Sequence, residues 1–501
     1  MGRMTGKTVA IGSKTFTVGY GWGDSGSALD KLTSITYPSG SRVNYGYSAR
    51  GVIQTVSVSP VNANGTGVGS AQALLSSVTY TVDGQISGWV WSDSKSRPIG
   101  YDSFGQIASY TLGDPSGTGT MAGALRTVSR DAAGRITGYS HTNSGSPTLS
   151  LDQSFAYDDL NRLTTVTQAT GSTGYSYDAS GNRTIKTIGG TAYTQTIDVA
   201  SNRLVVTRDV SGSASVTHDV SGNVVDDGSA TYSYSDRGRM AGASTAGGSV
   251  TYAYNGLGLR ARKSGSAVST GAAYYVYDEA GQLLGEYDQT GNPIYETLYL
   301  NTTPVGAIKQ TGTAGSSSIA VTLYNVYADH LDTPRVITKQ DQTIVWRWDT
   351  AEAFGATGPD QNPSGVGTFT FNPRFPGQVF ESETGLNQNW NREYNPRWGR
   401  YAQFDPIGLA DGPNGYLYAG TNPISKTDPQ GLTTSSSGSM SFAPWAQQQS
   451  DICMAESAYD KANKQCQAQC LFHLDFPGRK DNFGPFRSCL RACLAKKGFS
   501  I

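Results

Sequence analysis

The sequence predicts an all-β chain of stacked antiparallel hairpins that ends in a small α-helical hairpin. Three observations carry this: the composition, a recurrent strand-turn-strand unit, and an abrupt change of composition in the last fifty residues. Of 501 residues, 62 are Gly, Tyr outnumbers Phe 29 to 15, and only 15% are charged. Tyr, Thr and Val favour pleated, half-buried surfaces, whereas Gly, Asn and Asp favour tight turns. A hydrophobic share of 37%, with 10% aromatics, is enough to bury a core and excludes a disordered chain.

The repeating unit is a strand ending in an aromatic or β-branched residue, then Asp, a short turn with Gly or Asn, and an aliphatic residue. It reads YDSFGQI from Tyr101, RDAAGRI from Arg130, YDDLNRL from Tyr157 and YDASGNR from Tyr177. It continues as IDVASNRL from Ile197, HDVSGNVV from His218, YSDRGRM from Tyr234, YNGLGLR from Tyr254 and YDEAGQLL from Tyr277, with a weaker copy at Tyr47. Asp158, Asp178, Asp198 and Asp219 follow at intervals of 20, 20 and 21 residues. Asp can bond its own backbone two residues on, and Gly or Asn takes the positive φ that larger residues resist. A single hairpin is marginal in water, so neighbouring units must stack edge to edge.

These Tyr-Asp units resemble the YD repeats of Rhs and teneurin-like proteins and of toxin-complex C subunits, over roughly residues 40–432. The more specific part is YADHLDTPRVITKQDQTIVWRWDTAEAFG from Tyr327, followed by RFPGQ, ETGL, GRY and DPIGL between Phe371 and Leu409. A closing DPQGL ends at Leu432. Asp332 stands where the family usually has Gly, Asn395 where it has Asp, and Glu393 where it has an aromatic. The resemblance implies repeats winding into a spiral shell over residues 1–320, an N-terminally incomplete shell being one form of this. It implies an Rhs repeat-associated core over 321–432, a Ser-rich linker over 433–450 and a variable, toxin-position unit over 451–501.

The same resemblance implies an intramolecular aspartyl protease, with Asp405 and Asp428 as its carboxylates and Leu432–Thr433 as the bond cut. Like charges held ~3 Å apart cannot both ionise, so one carboxyl keeps a proton while the other activates water. Arg400, in GRY, is the residue expected to orient a carboxylate or polarise the carbonyl. Asp411 is a weaker third candidate. The alternative for Asp405 and Asp428 is structural, since Asp-Pro also opens turns.

All five cysteines fall at the end. Cys466 and Cys470 are four apart on one expected helix, and Cys489 and Cys493 on another. In an antiparallel pair Cys466 faces Cys493 and Cys470 faces Cys489, leaving Cys453 odd. Disulfides, a four-cysteine zinc site and reduced, packed thiols all remain open. His141, His218, His330 and His473 are too scattered for a metal cluster, and no dinucleotide or Walker spacing occurs, so no cofactor is expected.

Net charge is −1, with no basic stripe, so the body is not expected to bind nucleic acid. No apolar run approaches the ~20 residues a membrane helix needs. The N-terminal stretch lacks an apolar region of the signal-peptide kind. Export by a route without a cleavable leader, to the outside or the cell surface after a cytoplasmic stage, is the expectation.

On this reading the shell encloses its own C-terminal peptide and releases it by self-cleavage for competition between bacteria. An immunity protein and a secretion-system spike or adaptor would be partners. The competing readings are a non-cleaving surface module that binds carbohydrate or protein, and a truncated remnant of a larger toxin.

Overall fold

The computed structural model describes residues 3–312 and 318–436. Two compact units divide the chain, Thr5–Ser441 and Met1–Met4 with Phe442–Ile501, and nearly all described residues belong to the first. The expected helical hairpin and all five cysteines lie outside the described residues.

Within the two large sheets each strand pairs antiparallel with its successor in sequence, except that the two-residue strand Ser146–Pro147 is bypassed and Ile136–Asn143 pairs with Gln153–Tyr157 as well. One sheet of 19 strands runs from Gly6 to Ser215, and a second of 13 strands from Thr217 to Arg347. Among the described residues there is no α-helix, only four short 3-10 turns. Strands Thr303–Thr311 and Ala320–Ala328 pair directly, so the second sheet passes through residue 320 without a break.

The repeat owes its regularity to local bonds. Asp158 Oδ1 accepts the backbone N–H groups of Leu160 and Arg162, at 3.0 and 2.9 Å. The same pattern recurs at Asp102, Asp131, Asp278 and Asp329. Asn161 closes the Asp158 turn at φ 61°, the left-handed conformation expected of Gly or Asn there. Tyrosines that end a unit reach back to its predecessor: Tyr157 Oη donates to the Ile136 carbonyl, and Tyr177 Oη to that of Leu163, both at 2.7 Å. Tyr80, Tyr101 and Tyr254 make the equivalent bond to Ile53, Ile86 and Met240. Each acceptor is the aliphatic residue that restarts a strand, so one side chain ties two turns together.

Contacts distant in sequence show the ribbon of strands winding back over itself. Phe16 packs against the tilted rings of Tyr274 and Tyr287, and Tyr37 Oη donates to the Thr297 carbonyl. Farther along, Arg97 meets the Ala328 carbonyl and Arg126 that of Asp349. The aromatic core of the later turns gathers Trp346, Trp348, Phe371, Phe375, Tyr394, Tyr401 and Tyr418.

One such contact is titratable. Glu296 is fully buried and accepts bonds from Ser39 N, Ser39 Oγ and Tyr287 Oη. Burial pushes its carboxyl up to about 7. The folded chain therefore holds a proton that the unfolded chain releases near its ordinary value of 4.5. Stability from this group is full below that ordinary value and is lost as pH rises to about 7. A Gln fits the same partners, accepting from Ser39 N and Tyr287 and donating to Ser39 Oγ. Glu296→Gln is expected to stabilise by about 1–3 kcal/mol at pH 8 and by almost nothing near pH 4. Urea midpoints at the two pH values check this, and an equal effect at both would refute it.

The departures from the family pattern have local explanations. Asp332 sits at φ 62°, the Gly conformation, and its carboxylate is held by Thr302 and Thr303 hydroxyls at 2.8 and 2.7 Å. Asn395 Oδ1 accepts the N–H groups of Arg397 and Trp398, as an Asp would. Glu393 pairs with buried Arg260 at 2.6 Å.

Candidate active site

A four-stranded antiparallel sheet forms the base of the site: β1 (Gln378–Phe380), β2 (Asn387–Asn389), β3 (Arg392–Asn395) and β4 (Arg400–Tyr401). Beyond it, β5 (Lys426–Thr427) and β6 (Ser435–Ser436) pair with each other, and the intervening loop carries Asp428 and the Leu432–Thr433 bond. The loop packs closely on the sheet, and glycines at two points permit it. A Cβ on Gly377, the glycine of RFPGQ, would lie 1.8 Å from the Pro429 carbonyl oxygen. One on Gly431, the glycine of DPQGL, would lie 2.5 Å from the Asn389 carbonyl oxygen, and Gly431 has φ 63°.

Asp405 and Asp428, 23 residues apart in sequence, meet at one guanidinium. Arg392 Nη2 lies 2.9 Å from Asp405 Oδ2 and 3.2 Å from Asp428 Oδ2. Arg392, Asp405 and Asp428 are only 1%, 4% and 1% exposed. The rest of Arg392 is spoken for as well: Nε donates to the Gly431 carbonyl at 2.6 Å, Nη1 to that of Gly415 at 2.9 Å, and the group lies 3.6 Å from the Tyr401 ring centre.

Asp428 is the more heavily bonded carboxylate. Its Oδ2 accepts the Tyr401 hydroxyl at 2.7 Å. Its Oδ1 accepts the backbone N–H of Leu432 at 2.9 Å and of Thr433 at 3.1 Å. The amide of the expected scissile bond thus rests on an expected catalytic carboxylate. Asp405 has Arg392 and the Ile407 N–H at 3.0 Å. Burial pushes both carboxyls above the ordinary range while Arg392 pulls both down, and Asp428 and Asp411 add to the rise at Asp405. Asn389 completes the frame, donating to Tyr401 Oη at 2.8 Å and to the Asp428 carbonyl at 2.9 Å.

Arg400 is placed elsewhere. Its guanidinium donates to Asn182 Oδ1 at 3.2 Å and to the Asn202 carbonyl at 2.6 Å, and lies over Tyr416. The reason is strand geometry: successive residues face opposite sides. Tyr401 faces Asp428, so its neighbour Arg400 turns toward the repeat turns at Asn182 and Asn202. The residue at the carboxylates is Arg392, which nothing in the sequence singles out from the arginines around it.

The three histidines among the described residues take structural positions, and His473 lies outside them. His330 is buried between the Tyr110 hydroxyl and the Ile424 carbonyl, and burial lowers it to about 4. His141 lies against Arg126 and Asp152, and His218 against the Tyr416 ring. Among the described residues no group of three or more His, Cys, Asp or Glu could hold a metal ion, and no helix is long and apolar enough to cross a membrane.

The family model described as teneurin YD-shell matches residues 124–411, more than half of the chain. The chain belongs to the teneurin YD-shell family. The match takes in Arg392 and Asp405 of this YD shell, while Asp428 lies beyond it. Among curated proteins, the YD shell is 37% identical to toxin protein Tse5 of Pseudomonas aeruginosa over 106 residues, 21% of this chain and 8% of Tse5. It is 29% identical to double-stranded DNA deaminase toxin A of Burkholderia cenocepacia over 180 residues, 33% of this chain and 12% of that protein. The chain therefore spans only a small part of these relatives. Among solved structures, the Photorhabdus luminescens Tc holotoxin pore matches with a TM-score of 0.63 at 16% identity, over 84% of this chain and 21% of that one. The TcdB2–TccC3 crystal structure without its hypervariable C-terminal region matches with 0.64, again at 16% identity, over 84% and 22%. At this identity the likeness is one of fold, an Rhs/YD-repeat shell.

Proposed function

We propose that this YD shell is the carrier part of an Rhs-type polymorphic toxin, and that it cuts itself between Leu432 and Thr433 to free the segment that begins at Thr433. The observation that carries the reading is the contact of the Thr433 amide with Asp428 Oδ1, 3.1 Å away, with Asp405 on the same arginine.

The hydrogen bonds support one division of roles. Asp428, with four donors on it, is the ionised partner, and Asp405, with fewer, holds the proton. Asp428 takes a proton from a water whose oxygen adds to the Leu432 carbonyl carbon, while Asp405 protonates the carbonyl oxygen. Asp428 then returns its proton to the Thr433 nitrogen, and the carbon–nitrogen bond breaks. The intermediate's hydroxyl proton returns to Asp405, so a Leu432 carboxyl group and a Thr433 amine are the products. Arg392 and Tyr401 hold Asp428 in place and balance its charge. The tether between Asp428 and the scissile bond supplies proximity without a binding step.

The toxin names of Tse5 and the deaminase relative support a toxic role for the freed segment, enclosed by the shell until delivery. An immunity protein, a secretion-system adaptor and export belong to the same proposal. Intact mass measurement and N-terminal sequencing test the cut. The expected result is two chains, residues 1–432 and 433–501, the second starting at Thr433. One uncut mass from folded protein would reject self-cleavage and favour a non-cleaving binding module.

A further inference from the structure

The chain beyond the scissile bond is held as firmly as the chain before it. Thr434 donates its backbone N–H to both oxygens of the Asp411 carboxylate, at 3.0 and 3.1 Å, and its hydroxyl to Asp411 Oδ2 at 2.9 Å. One residue farther on, β6 pairs with β5 in the register Thr427↔Ser435, and the Thr427 and Ser435 hydroxyls lie 3.2 Å apart. Asp411 is itself exposed. It follows Asp405 in one short loop, whose turns are closed by Gly408 N–H to the Asp405 carbonyl at 2.9 Å and Gly412 N–H to the Leu409 carbonyl at 3.1 Å. One loop thus carries a proposed catalytic carboxylate at its start and a grip on the departing chain near its end.

The geometry points to Asp411 as a positioning residue that fixes the register of self-cleavage by clamping Thr434, the second residue of the departing segment. This rests on the self-cleavage reading above. Clamping Thr434 from one side while Asp428 holds Leu432 and Thr433 from the other leaves one peptide bond, Leu432–Thr433, fixed against the carboxylates. Displacement of a reacting group by about 1 Å can slow a reaction about 10²-fold. Asp411 also faces Asp405 electrostatically, together with Arg392 and Asp428, and its negative charge favours the protonated form of Asp405.

The two contributions separate by substitution. Asp411→Asn keeps an acceptor for the Thr434 N–H and offers a donor to its hydroxyl, but removes the charge. Asp411→Ala removes clamp and charge together. The full-length chain is pulse-labelled during cell-free synthesis, and the uncut fraction is followed with time at several pH values. Asp411→Ala is expected to slow cutting about 10-fold to 10²-fold. Asp411→Asn should restore most of the rate, with the high-pH limb of the profile moved to lower pH because Asp405 loses a negative neighbour. Thr434→Val should slow the wild-type chain and leave Asp411→Ala unaffected.

Thermal melting of each variant identifies any that fails to fold, and Thr434→Val, which leaves Asp411 in place, keeps the test open in that event. Wild-type speed in Asp411→Ala, or equal slowing by Ala and Asn with an unchanged pH profile, overturns the clamp. Absence of cutting in the wild-type chain overturns the self-cleavage reading instead, so the two failures are distinct.

Discussion

Asp428→Asn is expected to leave the chain in one piece on the time scale in which the wild-type chain is fully cut, a loss of about 10²–10⁴-fold. The amide oxygen of the substituted side chain can still accept the Leu432 and Thr433 N–H groups, so the loop keeps its place. What disappears is the acceptor for the water proton and its return to the Thr433 nitrogen. The new amide nitrogen would also face Arg392, but Arg392 keeps Asp405, Gly431 and Gly415, so no buried charge is orphaned. Asp405→Asn is expected to act similarly through loss of the proton that it gives to the Leu432 carbonyl oxygen. The measurement is the mass of the purified variant beside its melting curve. A folded Asp428→Asn chain that still yields a fragment starting at Thr433 would remove Asp428 from the chemistry.

Arg260→Met is expected to produce the largest change in stability. Arg260 Nη1 lies 2.7 Å from Glu381 and Nη2 2.6 Å from Glu393, with every partner almost fully buried. Its guanidinium also stacks 3.7 Å from the Tyr252 ring centre. Lys263 reaches Glu381 and Glu383 but leaves Glu393 to Arg260. Burial pushes the Glu393 carboxyl up, and Arg260 is the group that opposes the rise most. Removing one member of such a pair strands a buried charge and costs about 3–5 kcal/mol. The urea midpoint should fall accordingly, and adding Glu381→Gln and Glu393→Gln to Arg260→Met should recover much of the loss. A loss below about 1 kcal/mol in the single variant would show that the network does not hold the core sheet to the repeats.

The repeats were legible in sequence because their chemistry is local. An Asp that accepts N–H groups two and four residues ahead, followed by Gly or Asn at positive φ, needs nothing from elsewhere in the chain. The two acidic positions were legible for a different reason, the paired DPIGL and DPQGL motifs. Which arginine serves them was not. Arg374, Arg392, Arg397 and Arg400 lie close together in sequence, and only the β-register shows that Arg392 and Tyr401 share one side while Glu393 and Arg400 turn to the other. Asp411 was visible only as a third candidate, and its contact was not legible, because its partner Thr434 lies beyond the terminal motif and is brought to it by the pairing of β5 with β6.

The hydroxyl bonds of the repeat-ending tyrosines Tyr80, Tyr101, Tyr157, Tyr177 and Tyr254 run in one direction, each to a carbonyl that precedes it in the chain. A nascent chain leaving the ribosome can therefore lock each unit as its tyrosine emerges, without waiting for later sequence. The contacts between windings and the meeting of Arg392, Asp405 and Asp428 form only once far more has been synthesised. The order of synthesis thus works as a timer that sets assembly of the wall ahead of the proposed cut.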